Sequence, residues 1–133
     1  MANEATLVFQ SGIPIPFTCD NATGIEKGTL LTLSDPMTAA ATGAGVSGGA
    51  VAGICAAEKI ASDGNTKVSV FRQGIFKVYA SGVVAAGDPL VMWGNFVSTA
   101  AVNVENVFGV SLETATNGET ILVDLRPTSM QLA

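Results

Sequence analysis

The chain carries the same strand–turn–strand outline twice. Residues 53 to 74 read GICAAEKIASDGNTKVSVFRQG, and residues 109 to 125 read GVSLETATNGETILVDL. Each opens on Gly followed by Ile or Val, passes a lone Glu, turns at Asp63-Gly64 or Asn117-Gly118, and leaves through a Thr into alternating apolar residues. Upstream, IEKGTLLTL (25–33) matches VAAGDPLVM (84–92), with Gly28 over Gly87 and Leu31 over Leu90. The offset is 59 residues at the first pair of segments and 54 at the turns. A unit of about 45 residues with a few short strands cannot bury its own apolar face, whereas two packed together can. The repeat therefore predicts an all-β fold. It is a small β-barrel or sandwich of two similar modules, residues 25–72 and 84–125, inside one domain of residues 25–133.

Period-two alternation and short apolar runs bounded by Gly, Asn or Asp support that class. Candidate strands are Ala5–Gln10, Thr29–Leu33, Ala50–Ala56, Thr66–Arg72, Ile75–Ala80, Pro89–Trp93, Val107–Glu113 and Thr120–Leu125, with Ile75–Gly82 linking the halves. Glycines at Asp63-Gly64, Gln73-Gly74, Gly94-Asn95 and Asn117-Gly118 supply the turn geometry. Residues 50–61 come nearest to a helix, but Gly53 interrupts them and their large apolar residues share no face.

Residues 1–24 stand outside the repeat and read as an extended N-terminal arm. SGIPIPF, residues 11 to 17, spaces Pro14 and Pro16 two apart, which favours extended backbone and removes amide donors. Phe9, Ile13, Ile15 and Phe17 make the arm apolar, so it either covers its own barrel or reaches a neighbour.

Composition narrows the partners. Charged residues make up 13% of the chain, about half of the usual 25%, so the surface is comparatively neutral and suited to packing. The net charge is −5 and the six cations are scattered, which argues against nucleic acid, where a clustered basic face is needed. Cys19 and Cys55 are the only cysteines, outside any CxxC, and read as buried free thiols rather than a disulfide. The N-terminus lacks a basic and then apolar leader, so the sequon at Asn21 reads as accidental. Residues 37–57 are uncharged and contain two GxxxG patterns, yet only Met37, Val46, Val51 and Ile54 are large and apolar, too few to read as a membrane helix.

Chemistry finds little footing. Without histidine, Ser-His and Cys-His catalysis are absent and the commonest zinc ligand is missing. The acids sit singly on turns and strand exits, where turn formation and solubility explain them. We expect no enzyme, cofactor or metal. Gly43 to Gly48 satisfies GxGxxG but follows no buried strand and opens no helix, so it reads as a flexible loop. Trp93 and Phe96 flank the Gly94-Asn95 turn; aromatics there cap a barrel end, anchor an interface or form a sugar platform.

GIFKVYASGVVAAGDPLVM (74–92) followed by GVSLETATNGETILVDL (109–125) resembles the small β-barrel capsid decoration, or cement, proteins of tailed bacteriophages. The family pattern is a Gly-(Ile/Val) strand ending in Ala, an Ala-Gly-Asp turn, and later Gly-x-(Ala/Ser)-Leu-Glu-x-Ala-x-x-Gly-Glu. Gly74, Ile75, Ala80, Ala86, Gly87, Asp88, Gly109, Ser111, Leu112, Glu113, Ala115, Gly118 and Glu119 carry it. The first module carries a looser copy, so the resemblance spans residues 24–125. It implies a virion protein that binds the major capsid protein on the outside of an icosahedral head, as a homotrimer, after assembly in the host cytoplasm. Multivalent attachment would multiply a modest contact per protomer. The expected interface residues, for capsid or neighbouring protomer, are Phe9, Ile13, Pro14, Ile15, Pro16, Phe17, Trp93 and Phe96, with the arm adding a strand to a neighbour's sheet edge. The alternative is a stand-alone barrel binding a carbohydrate or small molecule through Trp93 and Phe96. A biotinyl- or lipoyl-carrier barrel is set aside, because Lys67 lies within a strand rather than at a hairpin tip.

Overall fold

The computed structural model describes residues 5–10, 12–42, 50–99 and 106–129. The GxGxxG stretch from Gly43 to Gly48 lies outside them. The described residues form strands and turns with no helix, so the chain is all-β as its periodicity predicts. The strands are β1 (Thr6–Phe9), β2 (Ile15–Thr18), β3 (Leu30–Ser34), β4 (Thr38–Ala41), β5 (Val51–Cys55), β6 (Lys67–Phe71), β7 (Gly74–Tyr79), β8 (Pro89–Trp93), β9 (Phe96–Thr99), β10 (Asn106–Ser111) and β11 (Thr120–Ser129).

Two sheets result. Strands β2-β4-β3-β5-β6 close into a barrel, and β1-β7-β11-β10-β8-β9 form a six-stranded sheet. The second sheet is rolled like the first. A single parallel bridge between Ala80 and Val97 joins the β7 and β9 ends, where Thr18 and Thr38 make the matching parallel pair between β2 and β4.

The repeat is therefore a five-strand unit, larger than the module of a few short strands read from sequence. Leu31 pairs with Gly53 as Leu90 pairs with Gly109, and Cys55 with Val70 as Ser111 with Val123. Gly28 N–H donates to Cys55 O as Gly87 N–H donates to Ser111 O, and the isolated bridges Ile25–Lys59 and Val84–Ala115 match. Strand β2 occupies the place of β7. One sequence-based assignment is thereby corrected: residues 15–18 are a barrel strand rather than part of an arm outside the repeat. The expected strand Ile75–Ala80, read as lying in the segment that links the halves, is observed as β7 and belongs to the second unit.

Alternation explains which way the strands face. In β6, Val68 and Val70 are buried while Lys67 and Ser69 are exposed; in β7, Phe76 and Val78 are buried while Lys77 is exposed. Cross-strand partners share a face, so Phe17, Cys19, Leu31, Ala39, Ala52, Val68 and Val70 fill the first barrel. The opposite face of β3 and β5 carries Leu30, Val51 and Ile54. These residues join the second unit's interior, with Phe76, Met92, Phe108 and Leu125, in one continuous core.

Candidate functional site

The two units open differently at the same end. In the second unit the mouth ring is Phe76, Met92 and Leu125 over a floor of Val78, all buried. The outer wall of the first barrel covers it. Leu30, Val51 and Ile54 lie against it, and Phe71 meets Phe76 edge-on at 5.5 Å between ring centroids. Asn95 Oδ1 accepts the Leu30 N–H at 2.9 Å, so the covering strand loses no backbone hydrogen bond.

Pairing places Ile15, Leu33, Met37, Ala50 and Arg72 at the corresponding mouth of the first barrel, above Phe17. Among the described residues, none covers it to the same degree. Phe17, Leu33, Asp35, Met37, Ala50 and Arg72 line an apolar cup of about 620 Å³. Met37 is 52% exposed. Where the second unit has buried Leu125, the first has Arg72. Its guanidinium donates to Val51 O and Ala52 O and lies 5.9 Å from the Phe17 ring centre. Those hydrogen bonds hold the charge at the rim instead of inside. On its other side Arg72 borders a polar groove of about 460 Å³ with Gln73, Asp124 and Arg126.

The residues singled out by sequence do not form one surface. Phe17 is only 3% exposed, because β2 turns it into the barrel interior as the cup's floor. Ile15, partnered with buried Val70, stands at the same mouth, and Ile13 beyond it is 81% exposed. Phe9 is exposed on β1, which pairs with β7 of its own chain through Thr6–Lys77 and Phe9–Ile75. Trp93 and Phe96 face each other across the β8–β9 turn on the other unit. Phe96 is partly buried, edge-on to Tyr79 at 6.2 Å, while Trp93 on the outer face of β8 is 42% exposed.

The prolines act on backbone pairing. Thr18 N–H points to β4, donating to Met37 O, while Cys19 N–H points to β6, donating to Thr66 O. Donors alternate sides along a strand, so Pro14 and Pro16 fall on the side of Thr18, away from β6. The corresponding residues of β7, Ile75 and Lys77, are those that pair with β1. One unit thus has its edge filled by the chain's own first strand. In the other, two prolines leave no donor for an added strand.

The opposite end of the first barrel is sealed by a buried lysine that sequence reading passed over. Lys59 Nζ donates to Asn21 O at 2.9 Å, to Ile60 O at 2.8 Å and to Asp63 Oδ1 at 3.0 Å, tying the β2–β3 and β5–β6 loops together. The Asn65 N–H, and then the Lys59 ammonium, hold the Asp63 carboxyl below its ordinary range. Burial pushes the Cys19 thiol up and the Cys55 thiol up to about 11. Cys55 Sγ lies 3.0 Å from Ala57 O, a geometry that suits a protonated, inert thiol. Both cysteines are free and buried.

No known protein family profile matches the chain, and no curated protein does. Among solved structures, the fold is similar to the N base of head fiber gp8.5 in bacteriophage phi29. The TM-score is 0.58 at 15% sequence identity, covering 90% of this chain and 99% of that one. At this identity the likeness is one of fold.

Proposed function

We propose that this chain is a structural protein of a tailed-phage virion, a decoration or cement protein attached to the outside of the head. The observation that carries the reading is the fold likeness to a head fiber base over almost the whole of both chains. It coincides with the Gly-led pattern at Gly74–Ala80, Ala86–Asp88 and Gly109–Glu119 that resembles cement proteins. The partner is the major capsid protein and the attached form is a homotrimer, whose three contacts reinforce one another. Attachment by strand addition at residues 14–16 is disfavoured by Pro14 and Pro16, so side-chain surfaces carry the contact instead. Of the two aromatics a sugar platform would need, Phe96 is taken up by Tyr79.

The reading is tested by mixing the purified chain with expanded heads that lack it. Saturable co-sedimentation, together with a rise in the temperature at which heads release DNA, is the expected result. Heads that sediment bare at every protein concentration would rule the reading out.

A further inference from the structure

Of the asparagines in the chain, Asn117 alone is followed by glycine. That pair carries a self-contained chemistry. The backbone nitrogen of the following residue, once its proton is lost, attacks the asparagine Cγ and expels ammonia. The cyclic imide that forms takes up one water and opens either to aspartate or to isoaspartate, in which the chain runs on through the side-chain carbon. Glycine obstructs the attack least, because it has no Cβ and the widest backbone freedom. A Cβ at Gly118 would meet nothing within 4 Å, and Asn117 is exposed, so neither crowding nor burial shields the pair.

Hydrogen bonds shield it instead. The Gly118 N–H, whose nitrogen is the nucleophile, donates to Ala80 O at 2.9 Å, and Asn117 Oδ1 accepts the Gly82 N–H at 2.8 Å. Ring closure swings the Asn117 side chain and the Gly118 amide towards each other, which breaks both bonds and so removes the near-attack geometry from the folded chain. The turn around them is braced as well. Glu119 N–H donates to Thr116 O at 3.2 Å and Ala80 N–H to Glu119 O at 2.9 Å. Glu119 Oε1 accepts from the Thr116 N–H at 2.7 Å and from its hydroxyl at 2.9 Å.

We propose that Asn117-Gly118 is a modification site gated by the fold: the native chain keeps Asn117 intact, and chains that spend time unfolded are converted there to aspartate and isoaspartate. The two products have different fates. The matching turn of the first unit is Asp63-Gly64, so aspartate suits this place, and its carboxylate still accepts the Gly82 N–H. Isoaspartate adds a methylene to the main chain ahead of Gly118 and carries that amide away from Ala80 O. The lost bond is one that ties the end of β7 to the turn entering β11, two strands paired along their length in the second unit. Isoaspartate therefore marks a chain that has stayed unfolded and keeps it from regaining the native turn.

The test incubates the full chain in mildly alkaline buffer, with and without denaturing urea, and follows residue 117 by peptide mapping that separates asparaginyl, aspartyl and isoaspartyl forms. Conversion should be at least about 10-fold slower in buffer than in urea, since the turn must first open. Glu119→Ala, which removes the brace on Thr116, should convert faster than wild type in buffer and at the same rate in urea. After the urea is removed, chains with aspartate at 117 should regain the wild-type melting temperature and chains with isoaspartate should not. The proposal is overturned if the wild-type rate in buffer lies within about twofold of its rate in urea, because the hydrogen bonds then shield nothing. It is equally overturned if Glu119→Ala converts in buffer no faster than wild type, or if isoaspartyl chains refold to the wild-type melting temperature.

Discussion

Each unit contains one glycine at which a neighbouring backbone comes too close for any side chain, and three alanine substitutions separate the reasons. At Gly53 a Cβ would run into the Phe71 carbonyl and stand 2.8 Å from Val70 Cγ1, and the residue has φ 143°. At Gly109, its counterpart, a Cβ would run into the Asp124 carbonyl with no unusual φ. At Gly64 the φ is 84°, but the space is open. A left-handed backbone costs a non-glycine residue about 1–2 kcal/mol, partly offset by a less flexible unfolded chain, so Gly64→Ala should lose about 0.5–1 kcal/mol. Forcing a methyl against backbone costs about 1–3 kcal/mol, and Gly109→Ala should fall near the upper end of that range because a carbonyl cannot rotate away. Gly53→Ala bears both and should lose about 3–5 kcal/mol, a large part of a stability of roughly 5–15 kcal/mol. With a urea slope of about 1.5 kcal/mol/M, its midpoint drops by about 2–3 M. Urea titrations of the three variants decide it. If Gly53→Ala lies within about 1 kcal/mol of Gly64→Ala, the close approach of β5 to β6 is wrong.

Four further outcomes are expected. Lys59→Ala leaves the Asn21 and Ile60 carbonyls without their donor and opens a cavity. It should cost about 2–4 kcal/mol in urea unfolding, and Lys59→Met, which keeps the stem, should cost less; equal losses would mean that the ammonium's hydrogen bonds alone matter there and the stem's packing does not. The Asp63 carboxyl titrates below its ordinary 3.8, so its contribution is present above that pH and lost as pH falls through the folded value. Asp63→Asn should therefore flatten the acid limb of the stability curve, and an unchanged limb would discount the Lys59 contact. For the thiols the sign is reversed. With Cys55 raised from 9.0 to about 11, its contribution is full below 9 and lost as pH rises toward 11, and at pH 8 a thiol reagent should label the native chain far more slowly than the unfolded one. Removing residues 1–9 should leave a folded chain by circular dichroism, because only the edge strand β1 is lost, whereas removing residues 1–17 should abolish folding, because β2 and Phe17 go with it.

Most strands were legible because their residues alternate, as in Lys67–Phe71 and Gly74–Tyr79. The three missed ones lacked that signal. Thr38–Ala41 is three alanines after a threonine, Phe96–Thr99 is four residues long, and Ile15–Thr18 lies beside prolines that argue against pairing. Its prolines sit on the side of β2 that meets β4 only at Thr18, so their missing donors cost nothing. Without β2 the first module counted one strand short, and its equivalence with β7 was hidden. Of the candidate residues, Trp93 and Ile13 were recognisable as apolar and are exposed, but Phe17 has the same local character and is buried, and Arg72 and Met37 carried no signal at all.

From sequence alone come the all-β class, the duplication, the glycine-led turns and the absence of histidine chemistry, since each depends on neighbours a few residues apart. Which unit covers the other is beyond its reach. Leu30 and Leu31 are adjacent and equally buried, yet one faces the second unit's mouth and the other its own barrel. Only pairing between strands distant in the chain assigns those faces. That pairing closes Phe76, Met92 and Leu125 beneath Leu30 and Ile54, and leaves Leu33, Met37 and Arg72 around an open cup.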